Sequence, residues 1–166
     1  MYKANDINVN DLNLKAYSDA DFAGDRDQRK STTGCITKLS NSPVIWLSKR
    51  QSCVALSTAE AEYVAASQAA RELIWARNFL QDLGFECNKP SILYIDNTTA
   101  VSWTKDHVLN NKNKHIEVKY HYVRYKVESK EINPVYVPTE LQHADLFTKN
   151  FNKNIFLQLL NFIGMQ

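Results

Sequence analysis

Four carboxylates carry the chemistry that this sequence offers, and Glu62 is the most informative of them. Residues 58–81 repeat apolar side chains with a 3.6-residue period, and one face runs Glu62, Ala66, Ala69, Leu73, Ala76, Leu80. A carboxylate at the head of an apolar stripe is costly to bury unless something pairs with it. Its neighbour Glu60 has a duller task. Ser57-Thr58-Ala59-Glu60 reads as a capping box, in which the Ser57 hydroxyl and the Glu60 carboxylate satisfy free N–H groups of the first turn. Glu62 therefore needs a partner from elsewhere in the chain, and a metal ion shared with other acids would serve.

Three further acids qualify. Asp19 ends the short extended segment 12–18. Asp96 ends 91–95, a near-continuous apolar run of the kind found in strands buried on both faces. Asp145 lies in 140–147, a short helix after a Pro-containing turn. An Asp at a strand end is by itself usually a turn residue. Two acids at strand ends and two on helices, converging at one edge of a sheet, would form an all-oxygen site. Such a site suits Mg²⁺ and equally Mn²⁺.

The elements that must position these acids follow from periodicity and turn signals. Residues 1–11 are polar and aperiodic and read as an N-terminal arm or linker. Extended segments are predicted at 12–19, 33–40 and 43–54, with Asn41-Ser42 as a tight hairpin turn. The helix at 58–83 should end near Gly84. A strand at 91–96, a short helix at 98–106, a polar loop at 110–113 and a basic helix at 115–129 come next. A strand at 132–137 follows, demoted toward a sheet edge by Pro134. Residues 154–163 are an apolar helix, so that 151–166 form a C-terminal tail packing back on a domain of 12–150. This order predicts an α/β domain with a mixed five-stranded sheet flanked by helices: three antiparallel strands, then two parallel crossover strands. Strands one and four then lie side by side, which brings Asp19 and Asp96 together at the carboxyl edge where ligands bind such sheets.

Composition bounds the rest. The chain has 166 residues, 44% of them hydrophobic, with eight Tyr, seven Phe and three Trp, enough for the core of one domain. No run approaches the ~20 apolar residues of a membrane span, and the first residues lack the apolar centre of a signal peptide. The three cysteines, Cys35, Cys53 and Cys87, have neither zinc-ligand spacing nor a disulfide pattern, which fits a reducing compartment. The net charge of +2 argues for no polyanionic partner, but its distribution does. Lys105, Lys112, Lys114, Lys119, Arg124, Lys126 and Lys130 fall in one stretch with His107, His115 and His121, opposed only by Asp106, Glu117 and Glu128. That stretch is either a solvated helix face or a phosphate-contacting surface.

Several ordered blocks resemble the ribonuclease H domain of copia-type retrotransposon Pol polyproteins. They are Tyr17-Ser18-Asp19-Ala20-Asp21-Phe22-Ala23-Gly24-Asp25, Arg29-Lys30-Ser31-Thr32-Thr33-Gly34, Trp46-Leu47-Ser48-Lys49-Arg50-Gln51 and Val54-Ala55-Leu56-Ser57-Thr58-Ala59-Glu60-Ala61-Glu62-Tyr63. Asp96-Asn97, Lys114-His115-Ile116-Glu117-Val118-Lys119-Tyr120-His121, Val137-Pro138-Thr139 and Ala144-Asp145-Leu146-Phe147-Thr148-Lys149 continue the series, so the resemblance covers roughly residues 14–150.

The resemblance implies a ribonuclease H-like fold and cleavage of the RNA strand of RNA–DNA hybrids. It implies two Mg²⁺ ions held by Asp19, Glu62, Asp96 and Asp145 as catalytic and metal residues, with Mn²⁺ as the other candidate. Asp19 would bridge the ions, Asp145 would complete the one that activates water, and Glu62 and Asp96 would hold the other. Products would carry a 5′ phosphate and a 3′ hydroxyl. Asp21 competes with Asp19 for the first position and otherwise joins Asn97, Lys112, Lys114, His115, Lys119 and Arg124 as substrate-binding candidates. The reverse transcriptase domain of the same polyprotein would be a partner, and the location cytoplasmic or inside a virus-like particle. One departure is that the loop 138–142 lacks the histidine that cellular ribonucleases H carry before the last acid. His143 should point elsewhere and reads as a surface residue. Two other readings stay open: a non-catalytic remnant that binds nucleic acid, and a metal nuclease of the same fold that cuts DNA.

Overall fold

The computed structural model describes residues 13–87, 89–106 and 121–164. The arm expected at 1–11, the loop at 110–113 and the start of the basic helix lie outside those residues. So do Lys112, Lys114, His115 and Lys119.

Apolar alternation and turn residues produce the predicted sheet. Its central strand is β1 (Leu14–Asp21), which pairs antiparallel with β2 (Thr32–Leu39). β2 pairs antiparallel with β3 (Ser42–Arg50), which ends at Arg50 and not at 54. The connecting turn is Ser40-Asn41, one residue earlier than expected, with Ser40 in the left-handed region at φ 55°. On its other side β1 runs parallel to β4 (Ser91–Ile95), and β4 parallel to β5 (Ile132–Tyr136). The order is β3-β2-β1-β4-β5, so Pro134 does sit on an edge strand, where a missing N–H is tolerated.

One face of the sheet is covered by α1 (Thr58–Asp82), α2 (Thr98–Lys105) and α3 (Tyr122–Glu128). Ala16, Cys35, Leu93 and Ile95 pack there against Tyr63, Ala66, Ala69, Leu73, Trp103 and Val123. The alanines let α1 approach the sheet closely, and each large aliphatic side chain buried there contributes about 1.5–3 kcal/mol. α1 stops where Gly84 takes φ 86° and donates its N–H to the Gln81 carbonyl, a conformation that favours glycine. The buried Arg77 guanidinium closes the following connection. It donates to the carbonyls of Lys89 and Cys87 and to the Ser91 hydroxyl.

The other face carries a 3-10 helix at His143–Phe147 and the tail helix α4 (Lys153–Phe162). Tyr17, Ile36, Ala144 and Ile163 form a second core there. Lys38 is buried and donates from Nζ to the Phe162 carbonyl at 2.8 Å, which ties the tail to β2 and satisfies the end of α4. Burial pulls this ammonium down to about 8. Arg124 also turns inward: its guanidinium donates to the Trp103 carbonyl and fastens α3 to α2. The phosphate contact expected of it does not fit this placement, because a buried guanidinium hydrogen-bonded to a carbonyl is not available to a polyanion on the surface.

Candidate metal centre

Strand register brings the first two acids together. Ser18 is level with Ile95 across the parallel β1–β4 pair, so Asp19 and Asp96 stand one step further at the same height. Asp19 is not the last residue of its strand. β1 continues two residues because β2 still pairs with it, Asp19 opposite Gly34 and Asp21 opposite Thr32. Asp19 is only 1% exposed in consequence.

The third acid arrives from the far end of the chain. Gln142 is fully buried, donates from Nε2 to the Ser18 carbonyl at 2.9 Å and accepts from the Ala144 N–H. This seats the 3-10 helix on β1 and delivers Asp145. Oxygens of Asp19, Asp96 and Asp145 then lie within 4.8 Å of one another. Gly34 permits the approach. A Cβ there would stand 2.7 Å from Thr148 Cγ2 and 2.8 Å from the Ala144 carbonyl oxygen. Gly34→Ala is therefore expected to push the 3-10 helix off the sheet and to cost about 1–3 kcal/mol. Urea denaturation checks the stability, and a loss of Mg²⁺-induced stabilisation checks the displacement of Asp145.

Glu62 reaches the same edge from the α1 side. Its Oε1 accepts the Ala20 N–H at 3.1 Å, while Oε2 is buried without a hydrogen-bond partner among the described residues. It borders the three aspartates and does not join their tightest grouping, because α1 packs on the opposite face of the sheet from the 3-10 helix. Burial first, then the charges of Asp19 and Asp96, push its carboxyl up to about 9. Asp145 is pushed up to about 6 by burial, Asp19 adding to the rise and Lys149 opposing it. Asp96 is also raised, by burial and then by Asp19. Acids that hold protons this tightly need positive charge to ionise together. An all-carboxylate donor set with one orphaned, buried oxygen beside it fits a hard divalent cation.

Four residues around the acids were not expected from sequence. Lys149 Nζ lies 2.8 Å from Asp145 Oδ1 and 3.5 Å from Asp19 Oδ1. The Thr148 hydroxyl donates to Asp19 Oδ2, and the Thr139 hydroxyl to Asp96 Oδ2 at 3.3 Å. Gln142 is the fourth. The signals available were the spacing of Asp145 and Lys149, four residues apart, and the place of Thr139, Thr148 and Lys149 in the blocks that carry the family resemblance.

Other candidates are placed differently. Glu60 stays out of the cluster: its N–H donates to Ser57 Oγ, and its carboxylate accepts from Leu56 N–H, ahead of the first turn. Asp21 accepts the Thr32 N–H and closes the β1–β2 connection. Asn97 caps α2 through the Ala100 N–H at 2.9 Å. His143 is half-buried, not the plain surface residue expected. Its ring stacks on Tyr17 at 4.2 Å, and burial lowers it to about 4.

The fold is that of the ribonucleases H. LC11-RNase H1, isolated from compost by a metagenomic approach, superposes with a TM-score of 0.61 at 18% identity, covering 83% of this chain and 94% of its own. The N-terminal RNase H domain of Rv2228c from Mycobacterium tuberculosis gives 0.55 at 12% identity, covering 91% and 98%. No family model matches the chain. Among curated proteins, the retrovirus-related Pol polyprotein from transposon TNT 1-94 of Nicotiana tabacum is 41% identical over 92% of this chain. That from transposon RE1 of Arabidopsis thaliana is 38% identical over 94%. The chain spans 11% of the length of either. Fold and sequence together make it a ribonuclease H domain of the retrotransposon Pol family.

Proposed function

We propose that the domain is a metal-dependent endoribonuclease that cleaves the RNA strand of RNA–DNA hybrids during reverse transcription of a retrotransposon. The observation that carries this reading is the convergence of Asp19, Asp96 and Asp145 within 4.8 Å, with Oε2 of Glu62, unpartnered among the described residues, beside them. These four residues would hold two divalent ions, Mg²⁺ by preference. Such ions, when bound, polarise a phosphoryl oxygen and make water acidic enough to attack it. The chain's own part is positional. Thr148 orients Asp19, Thr139 orients Asp96, and Gln142 fixes the helix that carries Asp145.

A related fold supports the substrate class: LC11-RNase H1 has been crystallised in complex with an RNA/DNA hybrid, at 16% identity to this chain and a TM-score of 0.54. The basic residues Lys112, Lys114, His115 and Lys119 are candidates for backbone phosphates, since a nuclease of this kind reads duplex form and 2′-hydroxyls. Asn97 and Asp21 keep a role at the edge of the substrate, secondary to the turns they hold. A reverse transcriptase domain in the same polyprotein would supply the hybrid, in the cytoplasm or in a particle assembled there. Among the described residues no helix is long and apolar enough to cross a membrane.

Labelled hybrid, duplex RNA and duplex DNA, each with Mg²⁺ or with EDTA, form the test. Hybrid alone should be cut, only with metal, leaving 5′-phosphate and 3′-hydroxyl ends. Binding of hybrid without cleavage would make the domain a non-catalytic module. Cleavage of duplex DNA would move it to another class of nuclease.

A further inference from the structure

Lys149 is a cation held inside a carboxylate cluster. Besides its contacts to Asp145 and Asp19, its ammonium is within electrostatic reach of Asp96, so it feels all three aspartates. We propose that Lys149 is a built-in counter-ion that occupies the metal position in the metal-free protein, and that a divalent cation binds by displacing it. This rests on the reading of the acids as metal ligands.

The argument is one of shared oxygens. A Mg²⁺ ion takes carboxylate oxygens at about 2.0–2.1 Å in near-octahedral geometry. The ammonium lies at hydrogen-bond distance from an oxygen of Asp145 and at 3.5 Å from one of Asp19. A dication and an ammonium cannot both sit that close to the same two carboxylates without strong repulsion.

The residue type suits displacement. Lysine is a point charge on a flexible four-carbon stem, whereas arginine would grip two carboxylate oxygens with a planar fork. The side chain is 37% exposed, so solvent reaches it and it has somewhere to go. Its backbone is fixed, by contrast. The N–H groups of Thr148 and Lys149 both donate to the Asp145 carbonyl, at 3.1 and 3.0 Å. The head group can leave while its root stays beside the site. In the metal-free protein the lysine offsets mutual repulsion and keeps the acids gathered, at a cost in metal affinity.

The experiment is direct binding of Mn²⁺ alone, read from the electron paramagnetic resonance signal of the free ion. It uses wild type, Lys149→Gln, Lys149→Met and Lys149→Arg at pH 7 and fixed ionic strength. Removing a competing, partly exposed ion pair should tighten Mn²⁺ binding roughly three- to tenfold in the Gln and Met variants. It should also lower their metal-free melting temperature, and the Arg variant should bind more weakly than wild type. Folded Gln or Met variants with unchanged or weaker affinity would overturn the proposal. Should neither fold, the Arg variant decides, and equal or tighter binding by it would overturn the proposal too. Failure of the wild type to bind Mn²⁺, or equal binding by Asp19→Asn, would instead reject the metal centre itself.

Discussion

Replacing Glu62 with glutamine is expected to stabilise the metal-free protein by about 3 kcal/mol at pH 7 and to abolish hybrid cleavage. The stability follows from linkage. In the folded chain the Glu62 carboxyl is pushed from 4.5 up to about 9, mainly by burial. The folded state therefore binds this proton where the unfolded state has already released it. Stability falls as pH rises through that window, by about 1.4 kcal/mol per pH unit. Below about pH 4.5 both states are protonated and the penalty vanishes; above about pH 9 it is complete. Glutamine carries no such penalty and keeps an oxygen for the Ala20 N–H. Asp145, raised to about 6, adds a smaller loss with the same sign between its ordinary value and pH 6. Lys38 and His143 titrate alike in both proteins and cancel in the difference. Urea denaturation in EDTA at pH 5, 7 and 9 measures the gap, which should widen steadily. Parallel profiles would mean that Glu62 is ionised and paired in the metal-free fold.

Asp19→Asn is expected to lower cleavage by more than about 1,000-fold, since changes one shell further out already cost about 10–100-fold. The fold should survive. Asp19 raises Glu62, Asp96 and Asp145 alike, so a neutral side chain relieves three repulsions at once. The amide still accepts from the Thr148 hydroxyl. The metal-free melting temperature should hold or rise, while the stabilisation by Mg²⁺ seen in wild type should disappear. Calorimetric scans with EDTA and with Mg²⁺ separate these effects. A variant that unfolds would mean that Asp19 is a structural group and that the site lies elsewhere.

Much of this was legible because it rests on local rules. Periodicity marked α1 and the stripe that buries Glu62, the apolar run 91–95 marked a strand, whose second face, Ile92 and Tyr94, proves only partly buried, and Pro134 marked an edge. The parallel pairing of β1 and β4, which aligns Asp19 with Asp96, followed from connection order. What escaped depends on approaches between distant segments. Asp19 looks like the end of its strand, and only pairing with β2 carries the strand on to Asp21. Arg124 looks like a surface base, and its hydrogen bonds to the carbonyl of Trp103 turn it inward. Lys149 looks like a solvated charge until Gln142 and Gly34 let the 3-10 helix settle against β1. Side chains that serve other side chains have no periodicity of their own.

The acids come from β1, α1, the end of β4 and the 3-10 helix after β5, so about three quarters of the chain separates the first from the last. A ribosome must therefore release Asp145 before the cluster can close. A nascent chain that has made only β1, β2, β3 and α1 already displays Asp19 and Glu62 but lacks Asp96 and the helix that completes them. Assembly of non-local pairs of this kind is slow compared with local folding. Completion of the acid cluster would then report that the 3-10 helix has been made and has docked on the sheet.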